Sequence, residues 1–274
     1  MTARFLDQKG ADSFTTSVAS SHLRSSASTR AASAATFVDA TGPSGSGTLR
    51  SSIYRPAGFD ASASHPCLLF LHGMGECGLD GTRQLAVGLA PAILGNPDRW
   101  PFVVLFPQKP APEDEWEDHE AALLALVDRA VRQHGVDPRR IAITGLSQGG
   151  HGTWELARRH AERFVALAPI CGYPAAPARG WRDFDRARDW TIESARSSAA
   201  DLAEVLHAKP IWTVHGVLDP AVPVAFTDVV VEALRARGGQ PTYDRLPGVQ
   251  HDAWTTAYGN PAMAAWFREK LGVR

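Results

Sequence analysis

Gly145-Leu146-Ser147-Gln148-Gly149 is the stretch of this chain on which chemistry is most readily built. It directly follows a short apolar run at 141–144 and directly precedes a stretch with helical spacing that reaches about His160. A serine on so tight a strand-to-helix turn is thrust out as a nucleophile, and the residues two before and two after it must be small, as Gly145 and Gly149 are. Gly150 adds clearance for a neighbouring strand. The helix N-terminus behind the serine favours an anion there. Taken alone, the pattern also fits a glycine-rich turn with a capping serine. The strand before it and the helix after it favour the nucleophile.

A serine nucleophile needs a base, and the oxyanion it creates needs donors. Leu71-His72-Gly73-Met74-Gly75-Glu76 follows the apolar run 67–71. That is the place where a loop lends one backbone amide to an oxyanion, and Gly73 and Gly75 allow close approach. The backbone N–H groups of Met74 and Gln148 are the two expected donors. His72 reads as a structural imidazole of this loop, and Glu76 as either a polar wall or a turn residue. Beyond Ser147 the histidines are His151, His160, His207, His215 and His251. The first two lie on the serine's own helix, His207 at a helix end and His215 in a turn that closes a strand. His251 remains, in a loop after the last strand. The expected order is serine, acid, histidine, and Asp219 lies on the loop after the strand 211–214. There a carboxylate accepts from the imidazole and fixes its tautomer. Asp252 is the rival acid, but adjacent loop residues rarely pair ring to carboxylate. An Asx turn before Pro220 is the plain alternative for Asp219.

Positioning these groups requires a framework, and the sequence supplies one. Apolar runs at 67–71, 102–106, 141–144, 164–168 and 211–214, with weaker alternation at 49–54 and 242–246, read as strands. Between them lie helical stretches, the clearest from about Glu115 to His134, capped by Gly135 and followed by Pro138. Others run from Phe226 to Arg237 and from Pro261 to Leu271. Strands alternating with helices predict an α/β fold, a mostly parallel sheet with helices on both faces. No repeat of 20–50 residues is present.

The bulk properties narrow the classes. The chain has 274 residues, 28 Lys plus Arg, 29 Asp plus Glu, and a net charge of −1. That leaves no electrostatic footprint for nucleic acid. Hydrophobic residues make up 44%, so the chain is globular and not fibrous. No apolar run nears the roughly 20 residues of a membrane span. Three scattered cysteines, Cys67, Cys77 and Cys171, form neither a disulfide framework nor a zinc pattern. Residues 1–47 differ from the rest: Ser, Ala and Thr dominate, and no acidic residue occurs from Ser13 to Val38. This reads as an extension draped on or off the domain, with a hinge at 42–47. It has no apolar core of a secretory signal, so the expected location is cytoplasmic. Its Arg- and Ser-rich, acid-poor composition leaves organelle targeting open.

Taken together, Leu71–Glu76, Phe106-Pro107-Gln108, Thr144–Gly150, Pro169-Ile170-Cys171-Gly172, His215–Asp219 and Pro247–Trp254 resemble the α/β-hydrolase superfamily. The match is to its phospholipase/carboxylesterase group, and within that to predicted peptidases of the dienelactone-hydrolase and prolyl-oligopeptidase lines. The resemblance spans about residues 48–274. It implies an α/β-hydrolase fold and a serine hydrolase of small-molecule carboxylic esters, with no cofactor and no metal. Peptidase, amidase or thioesterase chemistry with the same triad is the near alternative, and a non-catalytic binding protein of the same fold the distant one. Glu76, Gln108, Trp181, Trp190 and Trp254 are the expected pocket residues. The segment 173–210 is longer than the resemblance requires. Its Trp181, Phe184 and Trp190 lie among many charges, as in a cap with an apolar underside. The cysteines are expected to be bystanders.

Overall fold

In the computed structural model, residues 34–39 and 49–273 are described. The candidate hinge at 42–47 and most of the N-terminal stretch lie outside them. Among the described residues, eight strands form one sheet: β1 (Thr36–Asp39), β2 (Arg50–Arg55), β3 (His65–Leu71), β4 (Val103–Gln108), β5 (Val136–Leu146), β6 (Leu167–Ile170), β7 (Trp212–Gly216) and β8 (Thr242–Leu246). Their spatial order is β1-β2-β4-β3-β5-β6-β7-β8. From β4 to β8 every pairing is parallel, while β2 runs antiparallel to β4 and β1 antiparallel to β2.

Among the described residues, eight α-helices accompany the sheet: α1 (Leu89–Gly95), α2 (Glu120–Gln133), α3 (Gln148–Arg159), α4 (Arg186–Asp189), α5 (Ile192–Leu206), α6 (Val224–Ala236), α7 (Ala253–Gly259) and α8 (Pro261–Lys270). Side chains alternate across a strand, so each central strand feeds two cores. On β3, Cys67, Leu69 and Leu71 join the core under α2, α3, α5 and α6. Leu68 and Phe70 join the core under α1, α7 and α8. Burial on both faces explains the continuous apolar runs of β3 and β4.

Several elements differ from the sequence reading. Thr36–Asp39 forms an edge strand of the sheet although it precedes the boundary drawn at residue 47. β6 begins at Leu167, later than the start of the apolar run 164–168, although Val165 N and Ala166 O already hydrogen-bond to β5. The first turn of the expected 115–134 helix is a tighter 3₁₀ turn, Trp116–His119. β5 begins at Val136, earlier than the apolar run 141–144, and so contains Pro138, where the register with β3 is irregular. Gly135 takes φ +61 just past α2, the left-handed conformation expected of a helix C-terminal glycine. The expected cap divides. Residues 192–206 are a crossover helix, α5, whose Ala195, Ala199, Leu202 and Leu206 are buried in the core. Only the stretch before it bears on the site.

Candidate active site

All the chemistry lies at the carboxyl ends of parallel strands, where open α/β sheets bind ligands. Ser147 follows β5 directly and takes φ 55 and ψ −118, a strained conformation for a residue with a Cβ. Its N–H donates to Ile170 O on the next strand at 2.9 Å, which holds the turn in place. The tight turn explains the flanking glycines. A Cβ on Gly149 would stand 2.0 Å from Leu71 O, and one on Gly145 would stand 2.3 Å from Gly149 O. Gly75, by contrast, has open space around it, so its position does not depend on close approach.

Ser147 Oγ lies 2.9 Å from His251 Nε2, and His251 Nδ1 lies 2.7 Å from Asp219 Oδ2. Asp219 Oδ1 accepts from the N–H groups of Ala221 and Val222 at 2.8 and 2.9 Å. The aspartate side chain is fully buried while the histidine is 24% exposed, so the imidazole is open to the cleft and its partner is not. Burial works to raise the Asp219 pKa. Hydrogen bonds from His215, His251 and Val222 N–H more than offset it and hold the carboxyl well below the usual range. Asp252, the rival, is engaged elsewhere: its side chain accepts from Thr255 N and Thr255 Oγ1 and caps α7.

Sequence reasoning missed one partner of this array. His215 is the last residue but one of β7 and is fully buried. Its Nε2 lies 3.1 Å from Asp219 Oδ2 and 3.0 Å from Val222 O, and its Nδ1 lies 2.7 Å from Thr227 Oγ1. The only local signal was the His-Asp spacing of four residues.

Met74 opens a 3₁₀ turn just past β3, and Gln148 opens α3. The first N–H groups of such turns have no partner within the helix, so both are free to face an anion. Both residues line the cleft at Ser147. Glu76 takes both roles considered for it: it lines the cleft, and its Oε2 accepts from Gly73 N at 2.9 Å. His72 is buried. Its Nε2 accepts from Lys109 N at 2.9 Å, which leaves Nδ1 to donate to Gly73 O, and burial pushes its pKa down to about 3. It is a neutral brace of the loop.

The cleft measures about 380 Å³, within the range of small-molecule sites. Tyr173, Trp181, Phe184, Trp190, Val222 and Trp254 form its apolar wall. Trp254 stands edge-on to His251, with centroids 5.3 Å apart. Trp181 and Trp190 both line it, but Trp190 is also a core residue, 9% exposed and packed edge-on to Phe226. Gln108 is not part of the wall. It ends β4 and is buried behind the 76–81 loop, accepting from Gly81 N and donating to Glu76 O.

Among the described residues, two groups of side chains bring potential metal-binding atoms within 4.8 Å of one another, Cys171–Asp219–His251 and Glu115–Glu117–His151. In the first, Asp219 and His251 engage each other, and burial keeps the Cys171 thiol protonated. In the second, both nitrogens of His151 are engaged, by Tyr173 O and Glu117 Oε1. Burial works against a charge on His151, but Glu117 and the neighbouring carboxylates prevail and raise its pKa to about 9.

The model of the prolyl oligopeptidase family matches residues 113–274. Among curated proteins, an uncharacterized secreted protein of Arthroderma benhamiae is 27% identical over 215 residues, covering 72% of this chain and 22% of that one. A poly(3-hydroxyalkanoate) depolymerase C of Paucimonas lemoignei is 25% identical over 252 residues, 82% of this chain and 58% of that one. Among solved structures, a thermostable esterase aligns with a TM-score of 0.64 and 25% identity, covering 86% of this chain and 62% of that one. The chain thus spans less than two thirds of the length of each of these relatives.

Proposed function

This chain belongs to the prolyl oligopeptidase family, and from that premise we propose that it is a serine hydrolase that cleaves small carboxylic esters through an acyl-enzyme on Ser147. The observation that carries the proposal is the unbroken chain Ser147 Oγ–His251 Nε2–His251 Nδ1–Asp219 Oδ2 at the mouth of an apolar cleft. Ser147 Oγ attacks the ester carbonyl carbon as its proton passes to His251 Nε2. Asp219 keeps the proton on Nδ1 beforehand and stabilises the imidazolium that forms. The N–H groups of Met74 and Gln148 hold the oxyanion. When the intermediate collapses, the alcohol leaves with the proton from Nε2 and the acyl group stays on Oγ. Water then attacks the acyl carbon with His251 as base, which releases the acid and restores the serine.

A depolymerase and an esterase among the similar proteins support ester substrates. The family's name favours a second reading, amide cleavage by the same residues. A panel of p-nitrophenyl esters and peptide anilides separates the two. We expect turnover of the esters, and a fall of about 10³-fold or more in Ser147→Ala. Anilides cleaved faster than esters would transfer the assignment to a peptidase, and turnover of neither would leave a binding protein.

A further inference from the structure

Glu115 is not part of the cleft, yet it holds the cleft's wall. It precedes the 3₁₀ turn Trp116–His119 and is only 8% exposed. One oxygen, Oε1, accepts from Trp181 Nε1 at 2.7 Å and from Tyr173 Oη at 2.8 Å. Both donors belong to rings that line the cleft. The other oxygen, Oε2, is buried without a hydrogen-bond partner. Trp181 sits in a stretch whose sole helix before Ile192 is the four-residue α4, so regular backbone structure does little to hold it. Its ring meets Tyr173 edge-on at 5.7 Å, and Tyr173 stacks on His151 at 4.5 Å and 12°.

A buried carboxylate is an expensive way to fill space, and an apolar side chain of similar size would pack at lower cost. The carboxylate does something an apolar group cannot. It fixes the direction of two donors at once, and so the position of two aromatic rings. Hydrogen bonds to a charged acceptor are short and directional, which suits that task.

We propose that Glu115 is a positioning residue that sets the size selectivity of the Ser147 cleft, by clamping Trp181 and Tyr173 so that the wall is shaped for a bulky arm of the substrate. This rests on the reading of Ser147 as the nucleophile. The clamp matters for substrates that reach the wall and is indifferent to those that do not. It acts through the rings and touches no reacting atom.

The test compares Glu115→Gln, which keeps a carbonyl oxygen for both donors, with Glu115→Leu, which keeps the bulk and removes the acceptor. Two ester series are used, one varying the acyl arm and one the alcohol. Two fluorophosphonates, with a methyl and a benzyl arm, read the same cleft whatever bond the enzyme cleaves. In Glu115→Leu we expect kcat/KM for the bulkiest esters of one series to fall about tenfold, carried by KM, with the smallest ester within about twofold of wild type. Benzyl but not methyl labelling should slow likewise, and Glu115→Gln should restore both profiles. Equal losses across all substrates, no change in any, or Gln behaving like Leu would overturn the clamp. If Glu115→Leu does not fold, Tyr173→Phe and Trp181→Phe each remove one donor and keep a ring. Both profiles matching wild type would then refute it. Wild-type protein that is labelled but cleaves no ester would overturn the esterase reading alone, with the clamp judged on the labelling rates. Wild-type protein that is not labelled at all would overturn both.

Discussion

Asp219→Asn is the substitution whose consequence follows most fully from the geometry. In the wild type, Asp219 Oδ1 accepts two backbone N–H groups, and Oδ2 accepts from His251 Nδ1. An asparagine can keep its carbonyl oxygen on the two backbone donors. Its amide nitrogen must then face His251 Nδ1, where two donors cannot coexist. The imidazole escapes by moving its proton to Nε2, the atom 2.9 Å from Ser147 Oγ. That nitrogen can no longer take the serine proton. The expected loss in kcat/KM is about 10³–10⁴-fold, or roughly 4–5.5 kcal/mol of transition-state stabilisation. The fold should survive, because the loop keeps its backbone hydrogen bonds, the buried charge is removed, and His215 Nε2 still has Val222 O at 3.0 Å. Asp252→Asn is the internal control. Asparagine caps helices about as well as aspartate, so activity should stay within about twofold and stability within a few tenths of a kcal/mol. Steady-state ester hydrolysis with a thermal melt on each variant reads both quantities. Asp219→Asn within tenfold of wild type, or equal losses in the two variants, would refute the reasoning.

Three further outcomes are expected. Gly149→Ala should abolish activity and destabilise the protein strongly, since its Cβ would lie 2.0 Å from Leu71 O and both partners are backbone; a folded, active variant would show that the elbow can open. Trp190→Ala should cost about 3–5 kcal/mol of stability, because that ring packs against Tyr173 and Phe226 as well as lining the cleft, and denaturant unfolding measures it. His151, raised to about 9 against 6.5 in the unfolded chain, contributes stability that is full below pH 6.5 and is lost as pH rises through about 9. Its upper size is about 3 kcal/mol, and Glu117→Gln should flatten that stretch of the stability profile.

The parts of this molecule that were legible in the sequence are those where local chemistry and tertiary role coincide. β3, β4 and β5 are buried on both faces, so their apolar runs announce them. Ser147 is marked by glycines that the turn itself demands, and His251 follows from chain order once each other histidine has a place. Other elements depend on contacts distant in sequence. Thr36–Asp39 is a short edge strand, and only its pairing with β2 defines it. The short α1 has no side-chain cap and starts from Gly88 at φ +72, so nothing marks its beginning. α7 did carry a mark, Asp252 three residues before Thr255, which was weighed as a rival acid and turned out to be a cap. The long stretch from Cys171 to Ile211 combines a crossover helix with a wall for the cleft, and the buried positions of α5 separate the two. Glu115 and Tyr173 meet across 58 residues, and His215 meets Asp219 in a turn that looked purely structural.

The central claim is that Ser147 is the nucleophile of an esterase, and covalent labelling tests it most directly. Protein treated with a fluorophosphonate, digested and mapped by mass spectrometry should carry one adduct, on the peptide containing Ser147. The same treatment of Ser147→Ala should give none, and labelling should abolish ester hydrolysis in proportion to its extent. An adduct on another residue, or full esterase activity in fully labelled protein, would contradict the account.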